Sequence, residues 1–100
     1  MESLRGKQVR FLRAKAHHLK PVVIVGQNRI TPAVVRHVDE ALEQHELLKV
    51  RLTGAEKQEA VMAATALAEG TGSALVQRIG HTIVLYRRRK KGPATITLPK

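Results

Sequence analysis

The chain has 100 residues, of which 43% are hydrophobic, and this length and composition support one small domain, 1–100, with a single core. The absence of cysteine excludes a disulfide, a thiolate metal site and a cysteine nucleophile. No apolar run approaches the roughly 20 residues that span a bilayer, and the N-terminus lacks the apolar segment of a signal peptide. We therefore expect a cytoplasmic protein that has no contact with membranes.

The net charge of +10 is large for this length, and it is unevenly distributed along the chain. Residues 1–36 contain eight Lys or Arg and one acid, residues 37–70 contain three and seven, and residues 71–100 contain seven and none. Because seven of the eight acidic residues lie in the middle segment, the two ends can form a basic surface, which is typical of proteins that bind polyanions. A solvated basic face that only improves solubility is the alternative interpretation.

The N-terminal segment has the pattern of an amphipathic helix. Ser3 can cap a helix that runs from about Leu4 to Ala16. Apolar residues fall on one side of it, and three cations at i, i+3 and i+6 share the other side: Lys7, Arg10 and Arg13. We expect one buried stripe and one exposed cationic ridge.

A strand, a tight loop and a helix start follow one another directly. Val22 to Val25 is an apolar β-branched run between Pro21 and Gly26, which favours a buried strand. Thr31 followed by Pro32 is typical of an N-cap and first helical residue, and the helix runs to about His45. The loop between strand and helix therefore lies beside unpaired N–H groups at the positive end of a helix dipole, which favours an anion.

Acidic residues gather in the later turns of this second helix. Asp39, Glu40, Glu43 and Glu46 lie where they oppose the helix dipole. No local folding reason explains their position. One functional interpretation is that the acids are kept away from the ligand-facing N-terminal end of the helix.

The next segment predicts a strand and a third helix. Residues 47–52 alternate between apolar and polar, with Lys49 and Arg51 on one face, as in a half-buried strand. Residues 53–56 match a capping box with Thr53 as cap, for a helix that runs to about Glu69. Gly70 is then the expected residue after the helix end.

The C-terminal third predicts a hairpin. Strands over Ala74–Ile79 and Thr82–Arg87 are joined by Gly80-His81, with glycine first as a type II′ turn requires. A short β-favouring segment, Thr95 to Leu98, either adds an edge strand or is free. The element order α-β-α-β-α-β-β predicts a compact α/β sandwich with a mixed four-stranded sheet and helices packed on it.

No residue pattern indicates catalysis. The sequence has no P-loop, no zinc spacing among its five histidines and no nucleophile paired with a base, so we expect a protein that is not an enzyme and needs no cofactor or metal. The two aromatic residues are too few for base stacking as the main binding mode. RNA is favoured over DNA because no recognition helix with base-reading side chains is apparent.

Three segments resemble a known family. They are LKPVVIVGQNxIT over residues 19–31, ALxxHELLKV over 41–50 and GHTIVLYR over 80–87. Together they resemble the bacterial stand-alone CRM domain of the YhbY type, over nearly the whole chain. The resemblance implies a fold similar to the C-terminal domain of bacterial translation initiation factor three. It also implies a non-catalytic RNA-binding role tied to precursors of the large ribosomal subunit; plant organelle relatives use the domain in group II intron splicing.

The GxxG loop of that family maps onto residues 26–29, where Arg29 replaces the second glycine. If this position needs a positive φ, arginine carries a penalty of about 1 kcal/mol. Its guanidinium in turn offers a bidentate phosphate contact. We expect Arg29 to clamp phosphate in place of close main-chain approach; the alternative is that it points to solvent.

The predicted RNA contacts form three basic groups that could share one surface, where neutralised phosphates release counterions. They are Lys7, Arg10 and Arg13 on the first helix; Lys20, Gly26, Gln27, Asn28, Arg29 and Thr31 around the loop; and Arg87, Arg88, Arg89, Lys90 and Lys91 in a basic tail. We expect a monomer that associates with ribosomal precursors and with ribosomal proteins. The alternative is a protein-interaction module, whose basic faces dock an acidic partner while the acidic second helix meets basic ribosomal proteins.

Overall fold

A computed structural model describes residues 4–26, 30–54 and 56–100. Its elements are α1 (Gly6–Ala16), β1 (Pro21–Gly26), α2 (Pro32–His45), β2 (Leu47–Thr53), α3 (Lys57–Thr71), β3 (Ala74–Ile79) and β4 (Thr82–Tyr86). The strands form one four-stranded sheet in the order β1-β2-β4-β3, in which β1 and β2 are parallel and the other pairs are antiparallel. The predicted element order and mixed sheet are confirmed. No helix in these ranges is long and apolar enough to cross a membrane.

The sheet separates two apolar clusters. On one face, which we call the α2/α3 side, alternate strand residues pack against both helices. The cluster includes Leu48, Leu52, Ile83 and Leu85 of the sheet, Val38 and Leu42 of α2, and Leu67 of α3. On the other face, the α1 side, α1 and the C-terminal segment pack against the sheet. This cluster contains Leu12 of α1, Ile96 of the C-terminal segment, and the strand residues Leu47, Val76, Val84 and Tyr86. Because alternate residues of a strand point to opposite faces, Lys49 and Arg51 of β2 lie on the α1 side.

The helix α1 begins later than its sequence pattern predicts. Its N-cap is Arg5 and not Ser3, which lies outside the described residues. The side chain of Gln8 accepts a hydrogen bond from the Arg5 N–H at 2.9 Å and donates one to the carbonyl oxygen of Pro99 at 3.1 Å. The first turn is therefore attached to the end of the chain, which a local capping pattern does not reveal.

Both predicted ends of α3 are wrong. Thr53 is the last residue of β2, where its hydroxyl donates to the Val25 carbonyl oxygen at 3.2 Å, so it does not cap a helix; the N-cap is Glu56. The helix ends at Thr71, and its C-cap is Gly72, which has a φ of 64°. Gly70 lies within the helix, and a Cβ there would be 3.2 Å from a methyl group of Val35. Glycine at this position thus permits the close packing of α3 on α2.

The predicted hairpin is confirmed. Gly80 has a φ of 58°, whereas His81 is not among the residues with positive φ, as a type II′ turn requires. The strand β4 ends at Tyr86, one residue before the predicted end. A β-bulge interrupts β3 between Leu75 and Gln77. Gln77 consequently pairs with Val84 and belongs to the α1 side.

One residue, Glu46, connects α2 to β2. Its φ of 63° and ψ of −39° are unusual for a residue with a side chain and cost on the order of 1–3 kcal/mol. The backbone there is fixed from both sides, since the Glu46 N–H donates to Leu42 at 2.8 Å and its carbonyl oxygen accepts from the Arg87 N–H at 2.9 Å. This contact joins the α2–β2 junction to the residue that follows β4.

The Glu46 side chain is fully buried and binds the C-terminal segment. Its carboxylate accepts from the N–H groups of Arg89 at 2.9 Å, Thr95 at 2.5 Å and Ile96 at 2.9 Å, and from the Thr95 hydroxyl. Residues 95–98 are therefore neither an edge strand nor free. They pass over the α1 side of the sheet, where Ile96 and Leu98 pack.

Acid titration of Glu46 should weaken the fold. Burial raises the pKa of this carboxyl group, but the hydrogen bonds from Thr95, Arg89 and Ile96 outweigh that effect and lower it from 4.5 to about 2. A group whose pKa is lower in the folded than in the unfolded protein stabilises the fold at pH values above its unfolded pKa. This contribution is lost as the pH falls from 4.5 towards 2.

The variant Glu46→Gln tests this assignment. Its amide NH₂ group would face backbone donors, so we expect a loss of about 3 kcal/mol of unfolding free energy at neutral pH, together with a weaker acid dependence than the wild type. Chemical unfolding followed by circular dichroism measures both. The control is Glu40→Gln, which is exposed on the same helix and should match the wild type. Equal stability of the two variants would contradict the role of Glu46.

Candidate nucleic-acid interface

The helix α1 covers only part of its face of the sheet. Beyond it, one residue of each strand pairs with the next across the sheet, in the order Ile24, Arg51, Thr82 and Ile79. We call these four residues the open row. Ile24 is 66% exposed and Ile79 is 60% exposed, and Arg51 between them is also exposed. The open row is thus a strip of sheet with an apolar residue at each edge and a cation near its centre.

A cavity of about 300 Å³ lies where the end of α1 meets the sheet. Its lining residues are Arg13, Ala14, Ala16, His17, Lys49, Gln77 and Ile79. Lys49 and Gln77 both pair with Val84 from opposite sides, so they lie in one cross-strand row next to the open row. The lining residues within the described part of the chain include two permanent cations and no carboxylate. This composition favours an anion.

The predicted cationic ridge lies on the helix that borders this cavity. Lys7, Arg10 and Arg13 are all exposed on α1, and Lys20 is exposed immediately before β1. The sequence contains no acid from residue 3 to residue 38, so α1 contributes no carboxylate to this side of the protein. The ridge and the cavity share Arg13, and this part of the predicted surface is brought together by the fold.

The loop after β1 is flanked by two exposed residues. Gly26 ends β1 opposite Thr53, and Thr31 caps α2 as predicted, its hydroxyl accepting from the Val34 N–H at 3.2 Å. Among residues 4–26, 30–54 and 56–100, a Cβ added to Gly26 would meet only the Thr53 hydroxyl, at 3.9 Å, and Gly26 is not among the glycines with positive φ. Neither space nor backbone conformation requires glycine here.

Gln27, Asn28 and Arg29 lie outside the described residues. The predicted phosphate clamp at Arg29 therefore stays a prediction.

Arg87 has an internal position, contrary to its predicted place in an RNA-binding tail. Only 5% of the surface of Arg87 is exposed. The guanidinium donates to the Thr71 carbonyl oxygen at 2.8 Å and the Asp39 carbonyl oxygen at 3.1 Å. It also forms ion pairs with the carboxylates of Asp39 and, at 3.3 Å, Glu43. Because these groups enclose it, Arg87 is not available to RNA.

The residues after Arg87 follow the acidic half of α2. The N–H groups of Lys90 and Lys91 each donate to the Glu43 carboxylate at 2.8 Å, and these bonds lower the pKa of Glu43. The Arg89 guanidinium donates to the Gln44 carbonyl oxygen at 2.8 Å. Asp39, Glu43 and Glu46 thus have a folding role that the local sequence did not reveal, since they hold the chain that leaves β4.

This position corrects the prediction of three basic groups on one surface. Arg87 follows Tyr86, which pairs with Leu47 at the start of β2, whereas Gly26 pairs with Thr53 at its end. The basic run and the loop therefore lie at opposite ends of the sheet. Only the side chains of Arg88, Lys90 and Lys91 are exposed in this run.

The structure adds four residues to the candidate interface that the sequence prediction missed: Lys49, Arg51, Gln77 and Ile79. The cations at alternate positions of β2 were the available signal. They indicated one polar face on a strand, but the pattern could not show that the strand is central in the sheet or that α1 leaves part of that face uncovered. Those facts depend on contacts between distant segments.

A comparison with protein-family models identifies the chain. Residues 4–87 match the CRS1/YhbY (CRM) domain. The chain belongs to this family. An RNA-binding protein of Haemophilus influenzae is 42% identical over 100 residues, covering 100% of this chain and 99% of that protein. A probable RNA-binding protein of Bacillus subtilis is 46% identical over 88 residues, covering 88% and 92% of the two chains.

A solved structure extends the likeness of this CRM domain to three dimensions. The solution structure of a hypothetical protein from Staphylococcus aureus superposes with a TM-score of 0.82 at 38% identity, covering 97% of this chain and 100% of that one. The resemblance read from the three sequence segments is confirmed.

The two neighbouring arginines at the end of β4 should differ in their effect on the stability of the CRM domain. Arg87→Gln leaves the carboxylates of Asp39 and Glu43 without their buried cation, so we expect a loss of about 3 kcal/mol of unfolding free energy. Arg88→Gln changes an exposed side chain and should alter stability by less than about 0.5 kcal/mol. Thermal unfolding of both variants measures the difference. Similar melting temperatures would show that the Arg87 ion pairs do not support the fold.

Proposed function

We propose that this CRM domain binds RNA through its α1 side, mainly by contacts with the phosphate backbone. The observation that carries this proposal is the uncovered part of the sheet. There Lys49 of β2 and Arg13 of α1 line one cavity, whose lining among the described residues includes no carboxylate, and Arg51 lies in the next cross-strand row of the same face. Each Lys or Arg that neutralises a phosphate releases counterions, which gives affinity without reading sequence. The relatives named as RNA-binding proteins support the same partner.

Backbone contacts are the main mode because aromatic stacking has little to work with. Tyr86 is buried at 4% exposure within the α1-side cluster, and Phe11 is 37% exposed on α1. An RNA-recognition sheet usually presents two or three exposed rings for stacking. The α1 side offers aliphatic and cationic side chains instead.

The proposed surface contains the residues of the original prediction that the fold leaves exposed on or near α1 and beside the loop. They are Lys7, Arg10, Arg13, Lys20, Gly26 and Thr31, with Gln27, Asn28 and Arg29 included on sequence grounds alone. The proposed surface also includes Lys49 and Arg51, and it excludes the buried Arg87. The basic residues Arg88, Lys90 and Lys91 lie apart from this surface, beside the C-terminal half of α2.

We further propose that the RNA is large-subunit precursor rRNA and that the protein acts as a monomeric assembly factor in the cytoplasm, without a cofactor. The family resemblance supports this more specific role. The alternative, a protein-interaction module, needs the acids of α2 to face a basic partner. Asp39, Glu43 and Glu46 already bind residues 87–96 of the same chain, which weakens that alternative.

The glycine at the start of the loop provides one test. Gly26→Ala places a methyl group where the fold has room, so we expect unchanged or slightly raised stability, because alanine has a lower entropy cost of folding than glycine. If RNA phosphate approaches the backbone there, affinity should fall about tenfold in a filter-binding or anisotropy assay, for a lost charge-assisted hydrogen bond. Wild-type affinity in a variant with wild-type stability would remove Gly26 from the interface.

Association with ribosomal precursors is tested by sedimentation of cell extracts. The protein should co-sediment with large-subunit precursor particles, and RNase treatment should release it. The double variant Lys7→Gln, Arg10→Gln should dissociate from the particles at a lower salt concentration than the wild type, because it makes two fewer phosphate contacts. Lys57→Gln is the matched control on α3, on the far side of the sheet. Retention after RNase treatment would favour docking on protein.

A further inference from the structure

The cavity between α1 and the sheet combines three kinds of side chain at one place. Arg13 and Lys49 bring positive charge, Gln77 brings an amide, and Ile79 with Ala16 brings an apolar wall. A phosphate needs only the first of these. The amide and the apolar wall suit a flat, partly polar group attached to that phosphate.

A nucleotide has this combination of chemistry. Its phosphate suits the ammonium of Lys49 and the guanidinium of Arg13. Its base presents donors and acceptors along one edge, which an amide can match because it has both. The flat face of the base can pack on the Ile79 side chain, which is 60% exposed and so is not needed to fill the core.

The concave shape selects the state of that nucleotide. A base inside an RNA helix is stacked and paired, so it cannot enter a cavity in a protein surface. An unpaired base in a bulge or loop can turn outward and enter. A volume of about 300 Å³ is at the lower limit for small-ligand pockets and admits one unit at a time.

We infer that this cavity binds a single unpaired nucleotide of the RNA, with Lys49 and Arg13 on its phosphate and with Gln77 and Ile79 on its base. This inference rests on the proposed RNA binding and adds a preference to it. The α1 ridge and the loop hold the backbone of a structured RNA, and the cavity selects RNAs with an extruded base at the right distance. The protein then distinguishes RNA by shape and by an unpaired position.

The test uses two RNA duplexes that differ by one base. Both carry a single-nucleotide bulge at the same place, but in one of them the bulged nucleotide is abasic, so length and charge are equal. We expect the wild-type protein to bind the complete bulge about tenfold more tightly, the ratio expected for contacts with one base. In NMR spectra, the side-chain amide of Gln77 should shift with the complete bulge and stay in place with the abasic one.

Variants separate base contact from phosphate contact. Gln77→Ala and Ile79→Ala should remove the preference, so that the complete and the abasic bulge bind with equal affinity. Lys49→Gln should weaken both duplexes alike. Gln58→Ala and Met62→Ala are the matched controls, since both residues are exposed on α3, and they should keep the tenfold preference of the wild type.

The outcomes distinguish this inference from the proposed function. If neither duplex binds, the proposed RNA binding itself is wrong. If both bind with equal affinity, the protein binds RNA but the cavity does not take the base. A preference that survives both Gln77→Ala and Ile79→Ala would place the base elsewhere and overturn the assignment to this cavity.

Discussion

The buried carboxylate of Glu46 is the interaction on which the rest of the structure depends. It accepts hydrogen bonds from three backbone N–H groups and one hydroxyl in residues 89–96, while its own backbone holds a strained φ of 63° between α2 and β2. These bonds fix the C-terminal segment, whose Ile96 and Leu98 complete the α1-side cluster. The position of α1, and with it the open part of the sheet, therefore depends on a residue that lies on no binding surface.

A second consequence of this arrangement is a sorting of charge. The acids of α2 bind Arg87 and the backbone of Lys90 and Lys91, so part of the positive charge near the C-terminus is used inside the protein. By contrast, α1 contains no acid, and no described residue that lines its cavity with β2 carries a carboxylate. Net charge alone does not distinguish these two groups, because a five-residue basic run and a dispersed set of lysines and arginines count equally. The dispersed set is the one on which the proposed RNA-binding surface rests.

The sequence predicts the fold better than it predicts the site, and particular residues show why. Element order follows from local periodicity, and the Thr31 cap and the Gly80 turn follow from local backbone chemistry. The prediction that Thr53 caps α3 is wrong because pairing with β1 extends β2 to that residue. The prediction that Gly70 follows the end of α3 is wrong because the local pattern does not show its contact with Val35. The burial of Arg87 depends on its contact with Asp39, 48 residues earlier in the chain, and the open row depends on pairing among four strands. A periodic pattern carries no information about such contacts.

The open row also explains how an exposed apolar strip is tolerated at the edges of a sheet. Ile24 and Ile79 lie on the two edge strands, where exposed aliphatic residues favour pairing with other chains. A bulge interrupts each of these strands, between Pro21 and Val23 in β1 and between Leu75 and Gln77 in β3, and bulges disfavour the regular pairing that aggregation needs. Arg51 places a charge between the two isoleucines, and the net charge of +10 repels other copies of the chain. The same charge attracts a polyanion, so a surface that disfavours self-association is suited to RNA.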